Sequence, residues 1–411
     1  MKIAILHYAC YPVVGGVESI ISTHARLFEA AGHEPFIIAG RGNPAAISLP
    51  GVIIPEIDSK HPDVLKVQAA LLRGEEWAGP EFERLVACIS DLLSDALKGA
   101  NACIVHNAFT LHKNLALTVA LAQLAVGKES DKRWVAWCHD LAWSNPLYVD
   151  ELSSGWPWEA LKTQLPNVTY VAISEQRRAE MAHLFGLPRS SITLVPNGID
   201  PEMFIPCSPQ MSSLRTRFNW DERDWVLLAP VRVTRRKNLG LALQITAAMR
   251  AGGGKPLLVI TGPPGPHNPR SDEYFNELLR LRAALDLREE AVFLALEGAG
   301  GGPLHVSDDM VNELYWWSDA LLVTSVQEGF GLPLLEAGLA RLPIFCSSLP
   351  VLREVGAENA HYFNPRDNPT NIAEMIRITL EEPGIAAMRR KVLTSYTWDA
   401  IFHERVLPLL A

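Results

Sequence analysis

Two carboxylates and two glycines stand close together in Ser325-Val326-Gln327-Glu328-Gly329-Phe330-Gly331-Leu332-Pro333-Leu334-Leu335-Glu336. An apolar run over residues 320–324 precedes them and reads as a buried parallel strand. Gly329 and Gly331 allow a sharp turn, and Pro333 suits the first turn of a helix, where a missing N–H costs nothing. A helix N-terminus offers unpaired N–H donors and the positive end of a dipole, so it can hold an anion. Glu328 falls just before the turn and Glu336 about one turn into the helix. Carboxylates accept hydrogen bonds from hydroxyls, so the pair suits a sugar carried on a phosphate, with Phe330 and Leu332 in the connecting turn. The same letters also describe an ordinary strand–loop–helix junction with an acidic first turn.

Three further stretches carry chemistry of the same kind. Arg232-Val233-Thr234-Arg235-Arg236-Lys237-Asn238 follows an apolar run and precedes a helical pattern. Its cations could neutralise a diphosphate, arginine as a planar fork and lysine as a point charge, although most charge runs are only solvated loops. Gly15-Gly16-Val17-Glu18-Ser19 follows the first strand-like run, where paired glycines let backbone approach a phosphate or sugar, or simply pack. His139 ends the run Trp134-Val135-Ala136-Trp137-Cys138. Strand ends are where open parallel sheets bind ligands, but a single histidine is more often structural. Trp137, Trp143, Trp156 and Trp158 lie nearby, and one or two of them could face a sugar ring. The turn at residues 260–268 could sit under a nucleotide base, or serve as a rigid turn only.

Absences narrow the class. The chain has no Gly-x-x-x-x-Gly-Lys-Ser/Thr loop and no complete Gly-x-Gly-x-x-Gly, which lowers the weight of ordinary NTPases and NAD enzymes. It also lacks Asp-x-Asp, the usual carboxylate cage for a metal-bound diphosphate, so no metal is expected. Any diphosphate charge then falls to helix N-termini, Arg232 and Lys237.

The elements that must position these residues follow from length and pattern. At 411 residues, 48% hydrophobic and 20% charged, the chain is globular and long enough for two domains. A net charge of −9 argues against a nucleic-acid binder. Six scattered cysteines without metal spacing fit free thiols in a reducing, cytoplasmic setting. The apolar run at the N-terminus is too short for a signal peptide, and the apolar helix expected at 115–126 is too short to span a bilayer. That leaves room for a peripheral membrane contact only.

Apolar runs alternate with helical patterns throughout, which implies βαβ units and parallel sheets. Strands are expected at 2–8, 35–39, 52–57, 102–106, 134–138, 169–173 and 192–195, with helices at 17–31, 80–97, 115–126 and 175–185. Residues 41–79 mix proline, glycine and charge and read as a mobile region lining a cleft. A proline-rich polar tract from 196 to 224 reads as a linker. A second alternation has strands at 225–231, 256–261, 291–296, 320–324 and 343–346. Its helices are expected at 239–250, 271–285, 306–317, 332–340 and 371–380, with a final helix from Tyr396 to about Leu410.

Taken together, the chain resembles the retaining GT-B glycosyltransferases of family four. The resemblance rests on Gly15-Gly16, His139, Ala172-Ile173-Ser174-Glu175, Val195-Pro196-Asn197-Gly198-Ile199-Asp200, Arg232 with Lys237, and Glu328 through Glu336. Pro350 with Glu354-Val355, and Tyr396-Thr397-Trp398, also match. It implies an α/β fold of two Rossmann-like, doubly wound domains facing across a cleft. Residues 1–200 would form the acceptor side and 201–394 the donor side, with 395–411 crossing back to the first domain. By the same resemblance, Arg232 and Lys237 would contact the donor diphosphate, Glu336 the ribose, and Glu328 the transferred sugar. Gly16 would line the phosphate, and His139 would reach the sugar from the first domain.

The implied reaction is transfer from a nucleotide diphosphate sugar, used as co-substrate with no further cofactor, to a carbohydrate or lipid-linked acceptor hydroxyl. Two other readings remain open on the residues: a sugar-nucleotide epimerase or sugar phosphorylase on the same fold, and a non-catalytic nucleotide-sugar-binding protein. Two positions depart from the pattern. Val231 stands where a glycine often precedes the arginine, and Arg341 where a glycine usually follows the helix. A left-handed Arg341 would cost about 1 kcal/mol.

Overall fold

The structure is a computed structural model and describes residues 1–127, 129–263, 270–298, 304, 306–382 and 384–410. The chain divides into two compact units, Met1–Gly198 with Trp398–Ala411, and Ile199–Thr397.

The first unit is built on a seven-stranded parallel sheet. In chain order its strands are β1 (Lys2–Ala9), β2 (Glu34–Arg41), β3 (Gly51–Ile53), β4 (Ala102–His106), β5 (Arg133–Cys138), β6 (Val168–Ala172) and β7 (Thr193–Leu194). They lie side by side as β3-β2-β1-β4-β5-β6-β7. The order reverses between β1 and β4, which is the switch point of a doubly wound sheet. Both faces are covered, so the central strands are apolar at successive positions. Ala4, Leu6, Val105, Trp134 and Ala136 pack one face, under the helices Ala78–Ala96 and Leu115–Val126. Ile3, Ile5, Ile104, Val135 and Trp137 pack the other, with Phe28 of the helix Gly16–Ala30.

The C-terminal segment completes that second face. Trp398, Ile401, Phe402, Val406 and Leu410 join the same buried cluster as Ile3 and Trp137. The segment is α-helical over Trp398–Ile401, widens to π geometry over Phe402–Val406 and tightens over Leu407–Leu410. Gly198 is required here, because a Cβ at that position would lie 2.7 Å from the Trp398 indole. The crossing back expected for the last helix is therefore a packed element of the first unit.

The second unit carries six parallel strands: β8 (Trp225–Ala229), β9 (Pro256–Ile260), β10 (Ala291–Phe293), β11 (Ala320–Val323), β12 (Ile344–Ser347) and β13 (His361–Phe363). Their order, β10-β9-β8-β11-β12-β13, repeats the pattern of the first unit and puts its switch point between β8 and β11. Two apolar layers again flank the sheet, around Leu227, Leu258 and Phe345 on one side and Leu228, Val259 and Cys346 on the other. Both units are thus Rossmann-like α/β sheets.

Several local expectations differ. The segment read as mobile holds β3 and a helix at Pro62–Leu72 that buries Val64, Val67 and Ala70. The strand expected to reach residue 57 stops at Ile53, because Pro55 opens a 3-10 turn. The tract read as a linker contains a helix, Pro209–Arg217, capped by Ser208 and anchored by buried Met211 and Leu214. Strand β13 and the helices Pro350–Gly356 and Ile385–Ser395 had no counterpart in the pattern reading. Arg341 has a φ of 58°, so the residue standing where a glycine usually follows the helix does take the left-handed conformation. The helix Leu115–Val126 is buried on nearly every side, which explains why it is apolar all round. No helix among the described residues is long and apolar enough to cross a membrane.

Candidate functional site

In the second unit, the switch point joins the loops that leave β8 and β11. Leu227 and Leu228 pair with Ala320 and Leu321, so both loops emerge at the same sheet edge. They are tied by backbone: Val326 N–H donates to Arg236 O at 2.8 Å, and the Thr324 hydroxyl to Lys237 O at 3.0 Å. Arg235–Lys237 form one 3-10 turn, and Asn238, at φ 49°, swings the chain into the helix Leu239–Ala251. Asparagine tolerates that left-handed geometry better than most residues.

Fixed in this way, the basic loop meets the carboxylate. Lys237 Nζ donates to Glu328 Oε1 at 2.5 Å, and the Ser325 hydroxyl donates to the same oxygen at 2.6 Å. Arg236 Nη1 donates to Glu328 Oε2 at 3.0 Å. The Lys237 and Glu328 side chains are only about a tenth exposed, at 10% and 9%. Burial alone would raise the Glu328 pKa. The hydrogen bonds from Lys237 and Ser325 and the nearby positive charges outweigh burial and hold the carboxyl below its usual range. Glu328 is therefore ionised at neutral pH.

The other cations of the loop divide. Arg235 turns away and pairs with Glu277 at 2.7 Å. Arg232 is exposed and makes no hydrogen bond or ion pair with the described residues. Its backbone is held by Gly262, where a Cβ would come within 2.6 Å of Arg232 Cα. That gives the turn after β9 a packing role; residues 264–268 of the same turn lie outside the described residues.

The helix Leu332–Leu339 starts at Gly331, whose φ of 106° and closeness to Leu352 exclude a side chain. Pro333 occupies its first turn. Gly329 faces open space and is not held to glycine by packing. Phe330 and Leu332 are 52% and 60% exposed. Glu336 is exposed on this helix, and the Tyr315 hydroxyl donates to its Oε2 at 2.5 Å, leaving Oε1 free to accept. Burial and the Glu336 charge push the Tyr315 hydroxyl well above its usual range, so it stays a donor.

In the first unit, Gly15 precedes the helix Gly16–Ala30 in an extended conformation. The Glu18 carboxylate folds back against Gly15, and its Oε2 lies 2.1 Å from where a Cβ would stand. Gly16 meets nothing within 4 Å. His139 follows β5 and is partly buried. Asn107 Oδ1 accepts its backbone N–H at 2.8 Å, and its Nε2 lies 3.0 Å from His106 Nδ1. Burial, with His7 nearby, lowers the His139 pKa to about 3, so the ring is neutral. Of the tryptophans singled out, Trp137 and Trp158 are core, Trp143 packs against it, and Trp156 is 58% exposed.

The structure therefore brings Lys237 and Glu328 together within the second unit, and places Gly15, Gly16 and His139 in the first. Arg236 and Ser325 were missed as partners of Glu328, although both adjoin residues already chosen. Tyr315 gave no signal, lying 21 positions from Glu336. His106 ends a strand just as His139 follows one, a symmetry that the pattern did contain.

Residues 14–203 match the family described as Glycosyltransferase Family 4, and residues 211–396 match Glycosyl transferases group 1. A serotype-specific mannosyltransferase WbdA of Escherichia coli is 42% identical over 111 residues, 26% of this chain and 13% of that protein. The chain thus spans only a small part of that relative's length. The mannosylglucosylglycerate synthase of Petrotoga mobilis is 24% identical over 380 residues, 86% of this chain and 84% of that protein. An uncharacterized glycosyltransferase of Methanocaldococcus jannaschii is 26% identical over 270 residues, 63% of this chain and 64% of its own. With two Rossmann-like units and a family match on each half, the chain belongs to the GT-B glycosyltransferases of family four, group 1.

Proposed function

We propose that this protein transfers a sugar from a nucleotide diphosphate sugar to an acceptor hydroxyl with retention of anomeric configuration. The observation that carries this reading is the meeting of Lys237, Arg236 and Glu328 where β8 and β11 diverge, the position at which doubly wound sheets take their ligands.

In this reading the diphosphate lies near Lys237 and Arg232 and the start of the helix Leu332–Leu339. Glu328 accepts from hydroxyls of the transferred sugar, and Glu336, steadied by Tyr315, from those of the ribose. The bond from the anomeric carbon to the diphosphate breaks as the acceptor oxygen approaches the same face, and the acceptor proton passes to the leaving phosphate. No side chain is assigned as a nucleophile. Charge grows on the leaving group as the sugar becomes cationic, so fixed cations and helix N–H groups there favour the transition state over the ground state. Lys237 must then exchange part of its contact with Glu328 for phosphate, and Glu328 part of its contact with Lys237 for sugar hydroxyls.

The named relatives include mannosyltransferases, which makes mannose the first sugar to try. A thermal-shift panel of nucleoside diphosphates and their sugars identifies the donor, since a ligand at 100 times its dissociation constant adds about 2.7 kcal/mol. A nucleoside diphosphate that stabilises the wild type but not Lys237→Ala supports this placement. Equal stabilisation of both contradicts it.

A further inference from the structure

We propose that His106 is a positioning residue for His139: its Nδ1–H donates to His139 Nε2 and fixes His139 as the tautomer with its proton on Nδ1. His106 is the last residue of β4, beside β5, and is fully buried. The two rings are nearly parallel, 18° apart with centroids at 5.3 Å, and the nitrogens lie 3.0 Å from each other. His106 cannot easily turn away. Its carbonyl accepts His7 Nδ1–H at 2.9 Å, and Trp137 stacks on it at 5.8 Å. The next residue anchors the same partner by its backbone. Asn107, at φ 63°, points Oδ1 at the N–H groups of His139, 2.8 Å away, and Asp140, 3.2 Å away. Consecutive residues of one strand end thus hold both the backbone and the ring of His139.

The direction of the ring-to-ring bond follows from what remains unpaired. His106 Nε2 is buried and has no partner, and neither ring nitrogen of neighbouring His24 has one. A neutral His24 must already bury one N–H without a conventional acceptor, edge-on to Trp137 and Trp398. If His106 received the bond at Nδ1, its own Nε2–H would be a further orphan donor in a cluster that already buries the Trp137 indole N–H and one N–H of His24. Buried orphan N–H groups are rarer than buried orphan acceptors. Donation from His106 leaves only a lone pair unsatisfied. His139 Nδ1 makes no hydrogen bond among the described residues and is not a buried orphan, so it is the edge open to solvent. His139 then presents an N–H donor at its open edge, and no lone pair that could act as a base.

This inference rests on the proposed transfer reaction for its effect on turnover, but not for the tautomer itself. Nitrogen-15 labelling of histidine in the full chain, with His139→Asn to assign the signal, reads the tautomer directly without any ligand. A proton on His139 Nδ1 and none on Nε2 from pH 6 to 8 is expected; a proton on Nε2 overturns the proposal. In kinetics, His106→Ala should lower nucleoside diphosphate release roughly 10- to 100-fold, by analogy with partners that orient metal-ligating histidines, with donor KM changed by less than about twofold. His106→Asn puts an amide donor where Nδ1 stood and should restore most of the rate. A folded His106→Ala with wild-type turnover, or a loss that His106→Asn does not rescue at matched thermal stability, overturns it. If the wild type uses no nucleotide sugar, the transferase reading fails, while the nitrogen-15 spectrum still decides the tautomer.

Discussion

Lys237 Nζ and Glu328 Oε1 are 2.5 Å apart, although 91 residues separate them in the chain. What brings them together is the order of two strands: β8 and β11 are parallel neighbours because the order in which strands are added reverses at that point. The ion pair is therefore a product of topology, placed at the switch point where doubly wound sheets take their ligands.

Breaking this pair should cost stability as well as activity. Lys237→Met strands a carboxylate that is only 9% exposed, and loss of one partner of a buried pair costs about 3–5 kcal/mol. Arg236 and Ser325 still serve Glu328, so the loss belongs at the low end of that range. Adding Glu328→Gln removes the stranded charge, and the double variant should be more stable than the sum of the single losses. Denaturant titration of all four proteins measures the coupling.

Arg232→Ala should behave in the opposite way. The side chain is exposed and without partners among the described residues, so stability should stay within about 0.5 kcal/mol. Its proposed contact is with the donor diphosphate alone, and turnover should fall by roughly two to three powers of ten. Unfolding and turnover measured on the same sample separate the two effects.

The two sheets were legible because strands buried on both faces are apolar at nearly every position, as in β1, β4, β5, β8 and β11. Short elements were not. Strand β13 has three residues, and the helix Pro350–Gly356 offers two buried positions, too few to show a period. At the site, residue types were legible and pairings were not. Arg232 and Arg236 look alike in sequence, yet only a fold that ties the Arg236 backbone to Val326 sets Arg236 on Glu328. Gly198 read as part of a linker, whereas its packing reason, Trp398, lies 200 residues away.

That contact gives a third expectation. Gly198→Ala forces a methyl group into a position 2.7 Å from the indole, and overpacking of this kind costs about 1–3 kcal/mol. The C-terminal segment should loosen first, seen as faster amide exchange over residues 398–410 than in the wild type.

The buried histidines predict acid sensitivity. Burial lowers His24 to about 3 and His139 to about 3, and depresses His106 well below its ordinary value. Between pH 6.5 and 3 the unfolded chain binds protons at these positions and the folded chain does not. Stability is therefore full above about pH 6.5 and declines as pH falls toward 3, by about 1.4 kcal/mol per pH unit for each histidine kept neutral. His24→Leu should flatten this slope. A slope unchanged by that substitution in urea titrations at pH 7, 6 and 5 would remove His24 from the explanation.

The central claim is tested most directly by incubating the purified protein with mannose, glucose and other nucleotide sugars and following both nucleoside diphosphate and sugar by NMR. The account predicts release of one nucleoside diphosphate, by slow hydrolysis alone or by transfer once an acceptor is present, with the product keeping the donor's anomeric configuration. The same release should be nearly abolished in Lys237→Ala and Glu328→Gln. Appearance of an epimer without released nucleoside diphosphate, an inverted product, or wild-type rates in both variants would contradict it.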